Sequence, residues 1–206
     1  MTKRFLDASI VVFMVFFGIA AVAHEMQAPD ALVKQTVREI LVAAKTDLAF
    51  GRGDLDQITT FVEKRIMPQT DFERATKLAM GRNWQLASKS QQQQITEQFK
   101  HLLVRTYSGV IAQIRDQQVF FKSYRGHPSD MDAVIYTEVL NNSQPIQINY
   151  RLTKTPVGWK VYDINVMGAW LIEAYRGQFA AKVNSGGVDG LINFLVDCNQ
   201  RFLSGK

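Results

Sequence analysis

The chain has 206 residues, 47% of them hydrophobic, 21% charged and 11% aromatic, with five prolines and one cysteine. This composition excludes a disordered tail, a collagen-like fibre and a disulfide scaffold, and the length suits one ordinary domain with its own core. Lys and Arg number 24 against 19 Asp and Glu, a net charge of +5 that favours anionic partners, phosphate or membrane surface, without choosing between them.

Lys3 and Arg4 precede an apolar run of 14 residues at 10–23, which closes on Ala21-Val22-Ala23 before His24. A short positive region, an apolar stretch and a small-x-small end predict a secretory signal peptide over 1–23, cleaved after Ala23. The run falls short of the roughly 20 residues that cross a bilayer. The cleavage point carries no cysteine for lipid attachment, and no later segment approaches spanning length. Residues 24–206 are therefore expected as one domain, free in an extracytoplasmic compartment. Cys198, alone, has no intrachain disulfide partner, and its helical spacing between Leu195 and Phe202 reads as a small buried hydrophobe.

From Pro29-Asp30 onward, Val33, Val37, Ile40, Leu41, Ala44 and Leu48 recur at helical spacing and end at Gly51 and Gly53. Asp54 is placed to cap a second helix carrying Ile58, Phe61, Val62 and Ile66, stopped by Pro68. A shorter helix over 71–80 terminates at Gly81. Ser88 or Ser90 opens a long amphipathic helix with the stripe Ile95, Phe99, Leu102, Leu103, Thr106, Val110, Ile111 and Ile114; the glutamines at 91–94 read as its solvated face. At Gln117 the period changes to two, giving strands over 118–125, 133–140, 146–154 and 158–166, joined by links short enough for antiparallel hairpins. Helical spacing returns after Gly168 through Trp170, Leu171, Ala174, Tyr175 and Phe179. It breaks at Gly186-Gly187, and a last helix from Asp189 carries Leu191, Phe194, Leu195, Cys198 and Phe202 on one face.

This order predicts an α+β domain: a four-stranded antiparallel curved sheet wrapped by about six helices packed on one face, enclosing an apolar cavity. Alternation places Ile146, Ile148, Tyr150 and Leu152 on one face of their strand. In the last strand it groups Tyr162, Ile164 and Val166, with Trp159, Val161 and Asp163 opposite.

Catalytic chemistry is hard to find. His24, His101 and His127 lie far apart, and no HExxH, GxSxG or phosphate-binding glycine loop occurs, so neither a metal site nor a catalytic triad is expected. Asp163, set among apolar residues, is either a general base at a pocket mouth or the partner of an Arg or backbone amide. The second fits better, because no companion acid accompanies it. Lys122, Arg125, Arg151 and Lys154 read as a solvated or docking face, since export removes nucleic acid as a partner.

Two stretches carry a family likeness. One is residues 80–88, Met-Gly-Arg-Asn-Trp-Gln-Leu-Ala-Ser, continuing to Phe99, Leu103 and Tyr107. The other is Gly158-Trp159-Lys160-Val161-Tyr162-Asp163-Ile164 through Gly168, Tyr175-Arg176, Gln178-Phe179 and Gly187-Val188-Asp189-Gly190-Leu191. Over about residues 28–203 the chain resembles the MlaC-type periplasmic phospholipid-binding proteins, the toluene-tolerance family. The resemblance implies a soluble periplasmic carrier, without cofactor, that shuttles phospholipid between an outer-membrane lipoprotein complex and an inner-membrane ABC transporter complex with its substrate-binding ring. Such a carrier maintains outer-membrane lipid asymmetry. The implied fold is a helix-wrapped sheet holding acyl chains in a deep apolar pocket, headgroup towards solvent, and a monomer is expected. One departure stands out: after Gly168 the family shows a small apolar residue and then Ser, whereas here Ala169 is followed by Trp170. An indole there narrows or reshapes a cavity, and relatives tied to hopanoid pathways add a second ligand class.

The lining expected of such a sleeve is Ile148, Tyr150, Leu152, Tyr162, Ile164 and Val166 from the sheet. Leu103, Tyr107, Val110 and Ile111 of the long helix and Trp170, Leu171, Tyr175 and Phe179 beyond it complete the set. Two other readings stay open: a periplasmic enzyme on a cone-shaped α+β fold with Asp163 as base, and an exported adaptor with a solid core.

Overall fold

The computed structural model describes residues 26–52, 54–112, 117–141 and 144–203. The expected signal peptide, Gly53, Ile114 and the hairpin link at Asn142-Ser143 lie outside the described residues. Six α-helices and five strands occur among them.

Helix α1 (Pro29–Thr46) starts with Pro at its first position and an i,i+4 pair of Lys34 with Asp30 at 2.7 Å. Its buried stripe of Leu32, Val33 and Val37 packs on the sheet residues Ala133, Ile135, Leu152 and Trp159. Asp47 and Asp54 cap the short α2 (Leu48–Gly51) and α3 (Leu55–Phe61), each accepting two backbone N–H groups. The ends of α1, α2 and α3 bury Ala44, Phe50, Ile58 and Val62 against Val104 of the long helix α5 (Lys89–Ala112). Asp71 caps α4 (Phe72–Met80), which stops at Gly81. Ser88 and Gln91 then bond each other's backbone N–H, a reciprocal box that opens α5. Gln91 also donates to Asp189, and Gln92 donates to the carbonyls of Trp84 and Ala87. The first two glutamines of the tetrad thus tie helices together; only Gln93 and Gln94 are solvated as expected.

The sheet is a meander in the order β1 (Gln118–Phe121), β2 (Asp132–Asn141), β3 (Gln144–Thr155), β4 (Gly158–Val166) and β5 (Ala169–Trp170), antiparallel throughout. It has five strands where four were expected. The extra one is a two-residue strand returning on β4 after a tight turn at Met167 and Gly168, with φ of 51° and 92°. The Gly168 N–H donates to Asn165 Oδ1 at 3.0 Å, and the second positive φ is one that glycine adopts without strain.

A β-bulge between Arg151 and Leu152 changes which residues share a face. Arg151 pairs with Asp163 but Leu152 with Val161, so two consecutive residues of β4, Tyr162 and Asp163, point to one side. The expected grouping of Tyr162 with Ile164 and Val166 is therefore corrected. Tyr162 joins Asp163, while Val161 and Trp159 join Leu152, Tyr150 and Ile164. The helices do not keep to one face either. Helix α1 covers the face bearing Leu152, and α4 holds the other through Arg74, which donates to Thr153 Oγ1 and pairs with Asp132 at 2.7 Å.

Helix α6 spans Leu171–Leu203 with non-helical backbone at Gly186 and Gly187, the break expected from the sequence. Gly187 has φ +66°, and beyond it the chain doubles back, so that Lys182 lies 4.6 Å from the Phe194 ring centre. Its two halves, α4 and α5 enclose the largest core cluster, built on Ile95, Phe99, Phe179, Leu191 and Leu195, with Tyr162 packed against it. No described helix is long and apolar enough to cross a membrane.

Candidate functional site

The register brings the expected sheet residues together with one exception. Ile148 lies opposite Thr137 and Val166, Tyr150 opposite Ile135 and Ile164, and Leu152 opposite Ala133 and Val161, all on one face. Leu152 is wholly buried under α1, whereas Ile148, Tyr150 and Ile164 are half-buried and Val166 is 37% exposed. Tyr162 stands on the far side, under the Arg74 guanidinium at 4.2 Å. Leu103, Tyr107, Tyr175 and Phe179 gather in the helical layer; Tyr175 and Phe179 both pack edge-on to Phe99, with ring centres 4.9 and 5.0 Å away. Trp170 on β5 is stacked by the Arg151 guanidinium at 3.7 Å, and Leu171 begins α6 beside it, half-buried. The side chains of Val110 and Ile111, on the last turns of α5, lie outside the described residues.

A groove of about 350 Å³ opens between α5 and the two halves of α6. Leu102, Phe194, Cys198 and Tyr175 line its depth, and Thr106, Gln178, Arg201 and Phe202 its rim. Only Tyr175 belonged to the expected lining. The others fall outside it, although the shared face of Phe194, Cys198 and Phe202 on the last helix is a signal that points to them. Cys198 is accordingly half-buried at the groove, not the fully buried hydrophobe its spacing suggested. A second cavity of about 480 Å³ lies at the β3–β4 hairpin, between Met26 and Val157.

Burial pushes the Tyr150 hydroxyl up to about 12, against the pull of a hydrogen bond with Thr137. Burial likewise raises Tyr175 to about 12, helped by the neighbouring Tyr107 and opposed by a hydrogen bond with Thr106. Both phenols stay neutral in the fold where an unfolded tyrosine, at 10.0, loses its proton. Between those values the folded state binds more protons, so stability is fully present below 10 and is lost as pH rises towards about 12. Urea midpoints measured across this window are expected to fall, and Tyr175→Phe is expected to flatten the fall. An unchanged slope in the variant would place Tyr175 outside the titrating set.

Asp163, weighed as a base, has its carboxylate engaged by the chain. Oδ1 accepts from the N–H groups of Ile164 at 2.9 Å and Ile172 at 3.1 Å, and Oδ2 pairs with Arg151 at 3.3 Å. Burial raises its pKa, while those two N–H groups and Arg151 pull it down. The carboxylate anchors the first turn of α6 to the sheet, the pairing reading of the sequence. Of the basic residues, Arg151 is thus engaged by Asp163, Lys122 pairs with Glu138 and Lys154 donates to the Pro128 carbonyl. His101 is paired with Glu97 at 3.1 Å, and no group of three metal-ligating side chains occurs among the described residues.

Comparison with known proteins gives a consistent picture. The family model described as MlaC protein matches residues 34–197. The chain is 20% identical over 180 residues to the intermembrane phospholipid transport system binding protein MlaC of Haemophilus influenzae, covering 85% of this chain and 84% of that one. It is 22% identical over 185 residues to the toluene tolerance protein ttg2D of Pseudomonas putida, covering 89% and 85%. The fold matches the phospholipid-binding protein from Ralstonia solanacearum, solved in complex with a phospholipid. There the TM-score is 0.81 and the identity 43%, over 86% of this chain and 99% of that one.

Proposed function

This chain belongs to the MlaC family, and from that premise we propose that it is an exported phospholipid carrier of the periplasm. The observation that carries this reading is the Ralstonia solanacearum relative, 43% identical over 86% of this chain and solved with a phospholipid bound. On this reading partly buried residues shield the acyl chains from water, drawn from the sheet residues Ile148, Tyr150, Ile164 and Val166 and the helical residues Leu103, Tyr107 and Tyr175. The chain receives and delivers lipid at an inner-membrane ABC transporter complex with its substrate-binding ring and at an outer-membrane lipoprotein complex. Phospholipid is thereby kept out of the outer leaflet.

Physical chemistry states what such a protein must supply. A two-chain lipid in water exposes on the order of 30 methylenes at roughly 0.8 kcal/mol each, a cost of about 24 kcal/mol that forbids unassisted passage. A carrier offsets nearly all of this with apolar side chains, yet binds no tighter than the membranes it serves, or release stops. Half-buried aliphatic and aromatic residues with few polar anchors suit that requirement.

Native mass spectrometry and lipid extraction of protein purified from the periplasm are expected to find bound phospholipid. A chain that is empty as purified, and stays empty after incubation with phospholipid vesicles, would overturn the carrier reading. Tyr150→Glu puts a carboxylate among Ile135, Ile148 and Ile164, and is expected to lower occupancy about tenfold or more with secretion intact. Full occupancy in that variant would remove Tyr150 from the lining.

A further inference from the structure

Residues 80–88, which carry part of the family likeness, contribute nothing to the proposed lining, and they lie in a stretch of one-sided charge. Residues 74–96 contain Arg74, Lys77, Arg82 and Lys89 and no carboxylate; residues 174–188 contain Arg176 and Lys182 and again none. The fold puts the two stretches together. Arg176 Nε donates to the Leu78 carbonyl at 3.2 Å, and Gln91 donates to Asp189, just past the second stretch, at 2.7 Å. Met80, Trp84, Val183 and Val188 enter one buried cluster beneath them. Asn83 and Trp84 thus go into packing, while Arg82 and Leu86 are left outside.

Lys77, Arg82, Lys89 and Arg176 are exposed, and Lys182 is half-buried beside the Phe194 ring. Among the described residues none of these five is in an ion pair, whereas Arg74 is taken by Asp132. The bordering carboxylates are Glu73, Glu97, Glu173 and Asp189; Glu97 is paired with Lys100, and Asp189 accepts from Gln91. Cations without carboxylates are complementary to a negative surface. Stable protein interfaces have an apolar, aromatic-rich core in which lysine is scarce. Here Leu86, 66% exposed, is the one large hydrophobic side chain left exposed in either stretch, and two of the four exposed cations are lysines on flexible stems. Movable point charges around a single apolar side chain match a fluid layer of anionic headgroups, between which a leucine inserts. We propose that this face, formed by the end of α4, residues 81–89 and the first half of α6, docks the protein on an anionic phospholipid bilayer. The attraction needs no bound lipid and so does not rest on the carrier reading.

The test is co-sedimentation of the purified full protein with vesicles of equal parts phosphatidylglycerol and phosphatidylcholine. Binding is expected in ~0.01 M salt and its loss in ~1 M salt, where the Debye length has fallen from about 30 Å to about 3 Å. Vesicles of phosphatidylcholine alone are expected to bind about tenfold less or weaker still. One cation near such a surface changes partition about fivefold, so Lys77→Gln/Arg82→Gln/Lys89→Gln is expected to bind about a hundredfold more weakly. Leu86→Ser is expected to lose about fivefold. Lys45→Gln/Arg52→Gln/Lys64→Gln removes the same charge from exposed positions around α1 to α3. Those helix ends pack on Val104, about 22 Å along α5 from Lys89, so this variant should stay within about twofold of wild type. Wild-type protein that ignores the anionic vesicles at low salt, or binds phosphatidylcholine equally, would overturn the assignment. So would a Lys77/Arg82/Lys89 variant that binds like wild type, or equal losses in the two triple variants, which would reduce the effect to net charge. Capture of poly-glutamate in place of the vesicles would give the face to an acidic polypeptide and overturn the bilayer assignment. Protein that sediments with the vesicles yet yields no lipid on extraction would overturn the carrier reading and leave this face as assigned.

Discussion

Asp163→Ala is expected to lower the free energy of unfolding by about 3–5 kcal/mol, the usual cost of removing one partner from a buried charged network. The side chain is 1% exposed and joins three elements. Its loss takes the acceptor from the part-buried N–H of Ile164 on β4 and from the buried N–H of Ile172 in the first turn of α6. Arg151 loses its nearest carboxylate and keeps only Trp170 at 3.7 Å and Glu173 at 3.8 Å. Asp163→Asn retains Oδ1 as acceptor for the two N–H groups and loses the charge and the Oδ2 acceptor facing Arg151, so it should cost less than alanine. Urea denaturation of the three proteins measures the difference. If alanine cost under about 1 kcal/mol, or no more than asparagine, Asp163 would not be holding α6 to the sheet. A carboxylate committed in this way serves a carrier, whose pocket wall must be rigid, better than it serves a base, which needs an acceptor lone pair turned towards substrate.

The longer helices were legible because they repeat their apolar residues at 3.6-residue spacing and announce their ends: Asp54 and Asp71 cap, Gly81 stops, and Gly186-Gly187 breaks. The first helix, by contrast, was expected to run on through Leu48 but ends at Thr46, and Asp47 caps the separate α2. The strands were legible as alternation, but three features of the sheet were not. Two residues, Ala169 and Trp170, are too few to alternate, and only the turn at Gly168 brings them back onto β4. The bulge opposite Arg151 leaves no mark on the sequence of β4, yet it moves Tyr162 to the other face and with it one member of the expected lining. Beyond Phe121, residues 122–131 carry no ladder, although strand-like residues continue to Arg125. The site shows the same division. Residues on one strand face were grouped correctly wherever the period held. The groove, by contrast, is assembled from Leu102, Gln178 and Arg201, tens of residues apart, by a helical hairpin whose fold-back depends on one positive φ at Gly187. Spacing within a single helix says which residues share a stripe and nothing about which other helix covers it.

Phe179→Ala is expected to remove about 3–5 kcal/mol of stability and to do so by a cavity rather than a lost polar contact. Phe179 is fully buried, its ring 5.0 Å from Phe99 at 72° and 5.9 Å from Tyr175 at 55°, while Phe99 and Tyr175 are themselves 4.9 Å apart. Each ring therefore touches both others, and truncation of one leaves two without a neighbour on that side. Edge-on aromatic pairs add about 0.5–1.5 kcal/mol beyond their buried area, so a double-mutant cycle of Phe179→Ala with Phe99→Ala should return coupling of that order. Phe179→Leu refills part of the volume without the ring and should recover a large share of the loss. The position also connects folding to the site: Tyr175 lines the groove and rests on the same trio, so the void opens beneath a wall of the groove. Urea unfolding gives the stability loss. A cost below about 1 kcal/mol, or zero coupling with Phe99, would mean that the trio is loosely packed and that Tyr175 is positioned by its bonds to Tyr107 and Thr106 instead.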